Sequence, residues 1–216
     1  GGNYSFLAKH SLSVFDIIHN WWEFLWHKEK QKRIVNKNIN LYNKVITDSP
    51  AIAKKLESSN IKFHMMLPGM ESDWLDISSS SNSYIKPVFY GNLRSNSDLT
   101  LVNEFIEEYD LHLIGIINDF IKKGLKSYTY LGQKNEKELL VCMKSYNLIL
   151  LPYNNDNFSK TIAPAKYFEA LATGSLVVTC ADLSHLPGFT EFVLKIDVSS
   201  KDFIENLKKA FSNQKY

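Results

Sequence analysis

Leu148–Thr179 reads LILLPYNNDNFSKTIAPAKYFEALATGSLVVT. It is an apolar run, a long polar loop, a helix-patterned segment and a second apolar run. Asn147–Pro152, the most apolar strand-like run in the chain, and Leu176–Thr179 lack polar alternation, the mark of strands buried on both faces of a parallel sheet. Between them, Ala165, Phe168, Leu171 and Ala172 recur at helical spacing, so the segment predicts a helix over Pro164–Thr173. Gly174 supplies a stop, because it takes the left-handed cap conformation without a Cβ penalty. A strand, a crossover helix and a parallel strand form one βαβ unit, which sets the class of the whole chain as α/β.

The same rhythm extends outward. Pro87–Tyr90 reads as a strand entering a turn at Gly91-Asn92, and Asp98–Tyr109 as an amphipathic helix with Leu101, Phe105 and Ile106 inward. Leu111–Ile117 and Tyr128–Leu131 read as strands, Glu136–Tyr146 as a helix and Asp202–Phe211 as a last helix. Upstream, Val14–Ile18, Lys44–Thr47 and Ile61–Leu67 read as strands, with helices in Trp21–Asn43 and from Pro50 to about Ser58. Ser72–Ser83, SDWLDISSSSNS, has no apolar period and reads as a linker. The expected organisation is therefore a partial α/β segment with its Ser-rich linker over 1–84. A Rossmann-like parallel sheet, covered by helices on both faces, follows over 85–216.

Composition narrows the function. The 216 residues carry 25 Lys+Arg against 23 Asp+Glu, a formal charge of +2. A domain living on phosphate-backbone contacts needs a larger basic excess, so no nucleic-acid partner is expected. Two cysteines, Cys142 and Cys180, make neither a disulfide framework nor a Cys-rich zinc site, and fit a reducing, cytoplasmic setting. The six histidines show no HxxxH or HExxH spacing, so no metal and no other cofactor is expected. No apolar run approaches the roughly 18 residues a membrane span requires. Gly1-Gly2-Asn3 reads as a tag remnant on a chain that begins inside a longer one.

In parallel sheets ligands sit beyond the carboxyl ends of the strands, where helix N-termini point. The loops of interest are Gly91–Ser97, Asn118–Lys123, Gly132–Asn135, Tyr153–Ala163 and Ala181–Gly188. Tyr153–Ala163 leads into a helix start, a place for an anion, and Lys160 and Lys166 add charge for a phosphate or diphosphate. Glu169 sits at the edge of the apolar seam, where a carboxylate is costly unless it is bound to something. It reads either as an acceptor for ribose hydroxyls or as a solvated rim residue paired with Lys166 at i, i+3.

The wording of this helix is more specific than its periodicity. Pro164-x-Lys166-x-Phe168-Glu169-Ala170-Leu171-Ala172-x-Gly174, followed by Leu176-Val177-Val178-Thr179, resembles the donor-binding helix of GT-B glycosyltransferases, closest to the family 4-like enzymes of bacterial surface polysaccharides. Tyr130-Leu131-Gly132 with Glu138-Leu139 and Leu150-Leu151-Pro152 resembles the order of elements before that helix. Val88–Leu93 resembles the opening of the C-terminal half. Val45–Ser49 and Leu67–Met70 resemble the close of the N-terminal half.

The resemblance implies a nucleotide-sugar donor and transfer to a glycan or lipid-linked acceptor. It makes Glu169 the ribose carboxylate and assigns Lys160, Thr161, Ile162 and Lys166 to the diphosphate. Gly91, Asn92 and Arg94 would line the phosphate side of the first loop, and Gly132 and Gln133 the base. Their ordinary readings are a turn glycine at Gly91, a solvated loop charge at Arg94 and a strand-ending glycine at Gly132. Thr161 stands where many family members carry a second glutamate, and only the end of the N-terminal half matches.

His19 and Glu23, in the aromatic run His19–Phe24 after the first strand, are the candidates for a general base. The alternative is that Trp21, Trp22, Phe24 and Trp26 bury a helix that His19 caps. The basic run Lys28–Arg33 beside these tryptophans reads as a solvated face or as a contact for peripheral membrane association. Two further readings stay open: a non-catalytic binding or interaction module of the same fold, and a GT-B-type nucleotide-sugar epimerase.

Overall fold

The computed structural model describes residues 12–18, 33, 36–78, 83–200 and 202–213. They form two compact units, and the chain passes between them more than once. The first holds the described residues up to Pro68 together with Asp156–Pro164 and Leu183–Pro187. The second holds Gly69–Asn155, Ala165–Asp182 and the described residues from Gly188 onward.

In the first unit, β1 (Val14–Ile17), β2 (Lys44–Thr47) and β3 (His64–Met65) form a parallel sheet in that order. Helix α1 (Pro50–Ser58) starts as its sequence prescribes, with Pro50 in the first turn and the Ser49 hydroxyl accepting from Ile52 N at 3.4 Å. Ile17, Ile39, Val45, Ile52 and Leu56 are buried together, with Phe15, Ile61 and Phe63 packed against them. The expected strand Ile61–Leu67 shrinks to two paired residues, since Ile61 and Phe63 pack on the core without ladder partners. Of the expected helices in Trp21–Asn43, most lies outside the described residues, and Ile39–Leu41 forms a 3₁₀ turn.

The second unit contains β4 (Pro87–Leu93), α2 (Leu99–Tyr109), β5 (His112–Ile117), α3 (Asp119–Lys122), β6 (Thr129–Tyr130) and α4 (Glu136–Met143). It continues with β7 (Leu148–Leu151), α5 (Ala165–Ala172), β8 (Leu176–Thr179), α6 (Phe189–Phe192), β9 (Val193–Lys195) and α7 (Phe203–Asn213). All six strands are parallel, in the order β6-β5-β4-β7-β8-β9. Numbered from β4, that is 3-2-1-4-5-6, the doubly wound order of a Rossmann-like sheet. Leu148, Leu150 and Val178 pack into one core with Leu101, Phe105 and Leu207 of α2 and α7. Ile149, Leu151 and Val177 are equally buried and, by the period of two, face the other way. Both faces of the sheet are covered, and each fully buried aliphatic side chain contributes roughly 1.5–3 kcal/mol.

Three local expectations change. β4 does not turn at Gly91-Asn92 but runs on to Leu93, with Gly91 paired to Gly115 of β5. The buried stripe of α5 is Tyr167 and Ala170, with Thr173 just beyond; Ala165 is exposed, and Phe168, Leu171 and Ala172 are half-buried. Tyr167, the bulkiest side chain of this helix, is completely buried, so the helix turns that side and not the Phe168 side fully inward. Within the stretch read as a linker, Ser72–Asp76 forms a 3₁₀ turn, and Trp74 is buried against Tyr90 with ring centroids 5.5 Å apart.

Candidate functional site

The topological switch point lies between β4 and β7, because the chain winds one way from β4 to β5 and the other way from β7 to β8. A crevice opens there beyond the carboxyl ends of the strands. The loops flanking it are zipped together. Asp98 N donates to Pro152 O at 2.7 Å, Asn154 N donates to Asn96 O at 2.9 Å, and Ser97 and Tyr153 form an antiparallel bridge. Under them is a cavity of about 270 Å³ lined by Phe89, Asn92, Arg94, Asn96, Ser97, Pro152, Tyr153 and Lys166.

Two cations meet at this cavity. With its amide oxygen turned toward the guanidinium, Asn92 accepts from Arg94 Nε at 2.9 Å and Nη2 at 2.7 Å, so Arg94 is braced from within its own loop. Lys166 reaches in from α5 and lays its ammonium 5.1 Å from the centre of the Phe89 ring and 5.9 Å from that of Tyr90. A Cβ on Gly91 would overlap that ammonium, and Gly91 has a φ of +107°, so only glycine fits the position. Burial pushes the Lys166 ammonium down to about 8, and Arg94 acts in the same direction against the opposing pull of Glu169.

Glu169 follows Lys166 on the same helix. Its half-buried carboxylate accepts a hydrogen bond from the Tyr90 hydroxyl at 3.0 Å through Oε2. Burial raises its pKa, while the Tyr90 hydrogen bond and Lys166 hold it down and Glu136 at the start of α4 adds to the rise. The partial burial and the tyrosine partner set it apart from a solvated rim residue. Tyr153 is held in its phenol form, first by burial and then by the charge of Glu169.

The fold thus brings Gly91, Asn92, Arg94, Lys166 and Glu169 to one end of one sheet. Gly132 is at the carboxyl end of β6, its carbonyl accepting from Gly115 N at 2.9 Å; exposed Gln133 follows it, and neither lines the cavity. Lys160, Thr161 and Ile162 belong to the first unit. There Lys160 and Thr161 sit in a 3₁₀ turn and the Thr161 hydroxyl donates to Phe158 O at 2.7 Å. The Thr161 carbonyl accepts from Ser49 Oγ, and the Ile162 carbonyl lies 2.8 Å from His185 Nε2. His19 and Glu23 lie outside the described residues, as does most of the basic run Lys28–Arg33.

Asn96, Ser97 and Tyr153 fell within the loops of interest without being singled out, and sequence reasoning missed Tyr90 and Trp74 altogether. One signal was present: a tyrosine inside a buried strand needs a partner for its hydroxyl. Its partner, Glu169, is 79 residues away, which no local pattern reveals. Cys180 is buried just past the end of β8, donating to Asp98 Oδ2 at 3.4 Å and Tyr153 O at 3.2 Å. Among the described residues no three His, Cys, Asp or Glu side chains converge as a metal site, and no helix is long and apolar enough to cross a membrane.

No family model and no curated protein matches the chain. Solved structures do resemble it. One chain in the structure of accessory secretory protein 1, 2 and 3 of Streptococcus pneumoniae aligns over 98% of this chain and 48% of its own length, at a TM-score of 0.49 and 9% identity. The wall teichoic acid polymerase TagF aligns over 95% and 57%, at 0.40 and 12%. The glycotransferase of kitacinnamycin aligns over 89% and 55%, at 0.39 and 13%. The chain spans about half the length of these structures.

Proposed function

We propose that the chain is the donor-binding portion of a glycosyltransferase, taking a nucleoside diphosphate sugar and passing its sugar to a glycan or lipid-linked acceptor. The observation that carries this reading is the pairing of two cations, Arg94 and Lys166, at the switch-point cavity with a tyrosine-held carboxylate, Glu169, one turn along the same helix. At about 270 Å³ the cavity suits an anionic group, not a whole nucleotide sugar, since pockets for larger ligands run to roughly 300–1,000 Å³. The diphosphate takes the cations, and the ribose lies toward Glu169. The base extends toward Gly132 and Gln133.

In transfer, the bond from the sugar's anomeric carbon to the diphosphate oxygen breaks, and the electron pair leaves with the diphosphate. The acceptor hydroxyl oxygen bonds to that carbon and gives up its proton, with His19 or Glu23 proposed as the base. Arg94 and Lys166 stabilise the charge that develops on the leaving diphosphate, and do so in a partly dry crevice where the effect is large. The reading places the protein on the cytoplasmic side, with the inner membrane face as the proposed site of lipid-linked acceptors. The sequence resemblance to family 4-like enzymes supports the same assignment.

A second reading, a nucleotide-sugar-binding module without transfer activity, is favoured by one observation. Thr161 stands where the related pattern has a second carboxylate, and its hydroxyl is spent on Phe158 O. Calorimetric titration with UDP, GDP and their sugars tests both. Binding by the wild type, weakened by roughly 1.5–3 kcal/mol in Glu169→Ala, supports a donor site. No binding to any of them removes both readings. Binding without donor hydrolysis or transfer by the longest available chain selects the module.

A further inference from the structure

Resting on the donor reading, we infer that Tyr90 is the positioning residue of the ribose site: its hydroxyl aims the Glu169 carboxylate, and Trp74 locks the ring that carries that hydroxyl. Tyr90 lies in the middle of β4 and is 3% exposed, so its ring cannot swing. Trp74 stacks on it at 5.5 Å with an interplanar angle of 26° and is itself 3% exposed. The Ser72–Asp76 turn that carries Trp74 packs against α5, the helix that carries Glu169. Strand, turn and helix therefore converge on one hydrogen bond, from Tyr90 Oη to Glu169 Oε2 at 3.0 Å.

The consequence is chemical. A carboxylate on a helix side chain has several rotamers, and a ribose hydroxyl needs it in one. The Tyr90 hydroxyl occupies Oε2 and selects that rotamer before ligand arrives, leaving Oε1 as the oxygen that accepts from the ribose. It also favours the charged form of Glu169 against the burial that opposes it. Tyr90 touches Glu169 and not the ligand, so its effect appears only where the ribose hydroxyls are read.

The experiment uses whichever of UDP and GDP binds the wild type, each compared with its 2′,3′-dideoxy counterpart, by calorimetry. Wild type prefers the ribose form by roughly tenfold or more, the worth of a hydrogen bond to a charged group. Tyr90→Phe, which keeps the stacked ring, cuts that preference at least threefold and leaves the affinity for the dideoxy nucleotide within about twofold. Glu169→Gln loses the same preference, and combining the two substitutions adds nothing further. In Tyr90→Phe the ribose preference also fades at a higher pH, because Glu169 protonates sooner. Equal weakening of both nucleotides in Tyr90→Phe, or an unchanged ribose preference, overturns the inference while leaving the donor site in place. If neither UDP nor GDP binds the wild type, the donor reading itself falls and takes this inference with it.

Discussion

The ammonium of Lys166 rests on the bare Cα of Gly91, in the space that any other residue at position 91 would fill with a Cβ. β4 carries that glycine through the sheet opposite Gly115, and the lysine crosses over it to reach the switch-point cavity. A cation is thus held over two aromatic rings but largely buried and near a second cation, and the cost of that burial and repulsion is one that a bound anion would relieve.

Gly91→Ala tests that packing. The new methyl must expel the Lys166 side chain and also accept a backbone φ that disfavours it, so the variant loses about 1–3 kcal/mol of stability. Chemical denaturation measures the loss. Nucleoside diphosphate affinity falls with it, whereas a glycine with the same φ and no lysine beside it would lose stability alone and leave that affinity unchanged.

On the proposed donor reading, the lysine also makes anion binding depend on pH. Its pKa of about 8 lies below the ordinary lysine value, so the ammonium is present below that pH and fades above it. Diphosphate affinity is expected to fall as pH rises from about 7 to about 9, and Lys166→Met to remove most of that slope. Titrations across the range, with UDP or GDP as probe, decide it. The linked stability runs the opposite way. Between about 8 and the ordinary value near 10.5 the unfolded chain holds a proton that the folded chain lacks, so stability rises with pH.

Trp74→Ala is expected to cost the second unit about 3–5 kcal/mol, the usual loss for emptying a buried tryptophan site. Thermal unfolding reads the loss. A variant with an unchanged melting temperature would mean that the Ser72–Asp76 turn contributes nothing to this core.

Asp48 carries a separate expectation for the first unit. Burial, with Asp16 adding to it, raises its carboxyl to about 6, and its Oδ1 is buried with no hydrogen-bond partner. A carboxyl with a raised folded pKa favours the fold below its unfolded value of 3.8, and loses that contribution as pH climbs through about 6. Asp48→Asn should therefore stabilise the protein by about 1 kcal/mol near neutral pH, after allowing for solvent screening, and by little near pH 4. Unfolding measured at the two pH values checks the difference.

Much of the architecture was readable without coordinates. Leu148–Leu151 and Leu176–Thr179 announced buried parallel strands because a strand covered on both faces has no polar side to show. Pro50 after Asp48-Ser49 marked a helix start because capping chemistry is local. Gly174, in the left-handed region at φ +68°, ended its helix for the same reason. Lys166 and Glu169 could be singled out because charged residues beside an apolar pattern stand out in the chain itself, whereas Arg94 entered only through the family resemblance.

Other features depended on partners far away in sequence. The rotation of α5 followed from where Tyr167 could be buried, not from the period of its apolar residues. Gly91 looked like a turn because its reason, a lysine 75 residues on, is invisible in the strand that holds it. Ser72–Ser83 read as a linker because nothing local shows that Trp74 finds a face of Tyr90. Local propensity, capping and strand burial are written into neighbouring residues, so the sequence alone determined the α/β class and most element positions. The switch-point crevice, the tyrosine-held carboxylate and the lysine seated on glycine arise from contacts across the sheet order, and only the tertiary structure decided them.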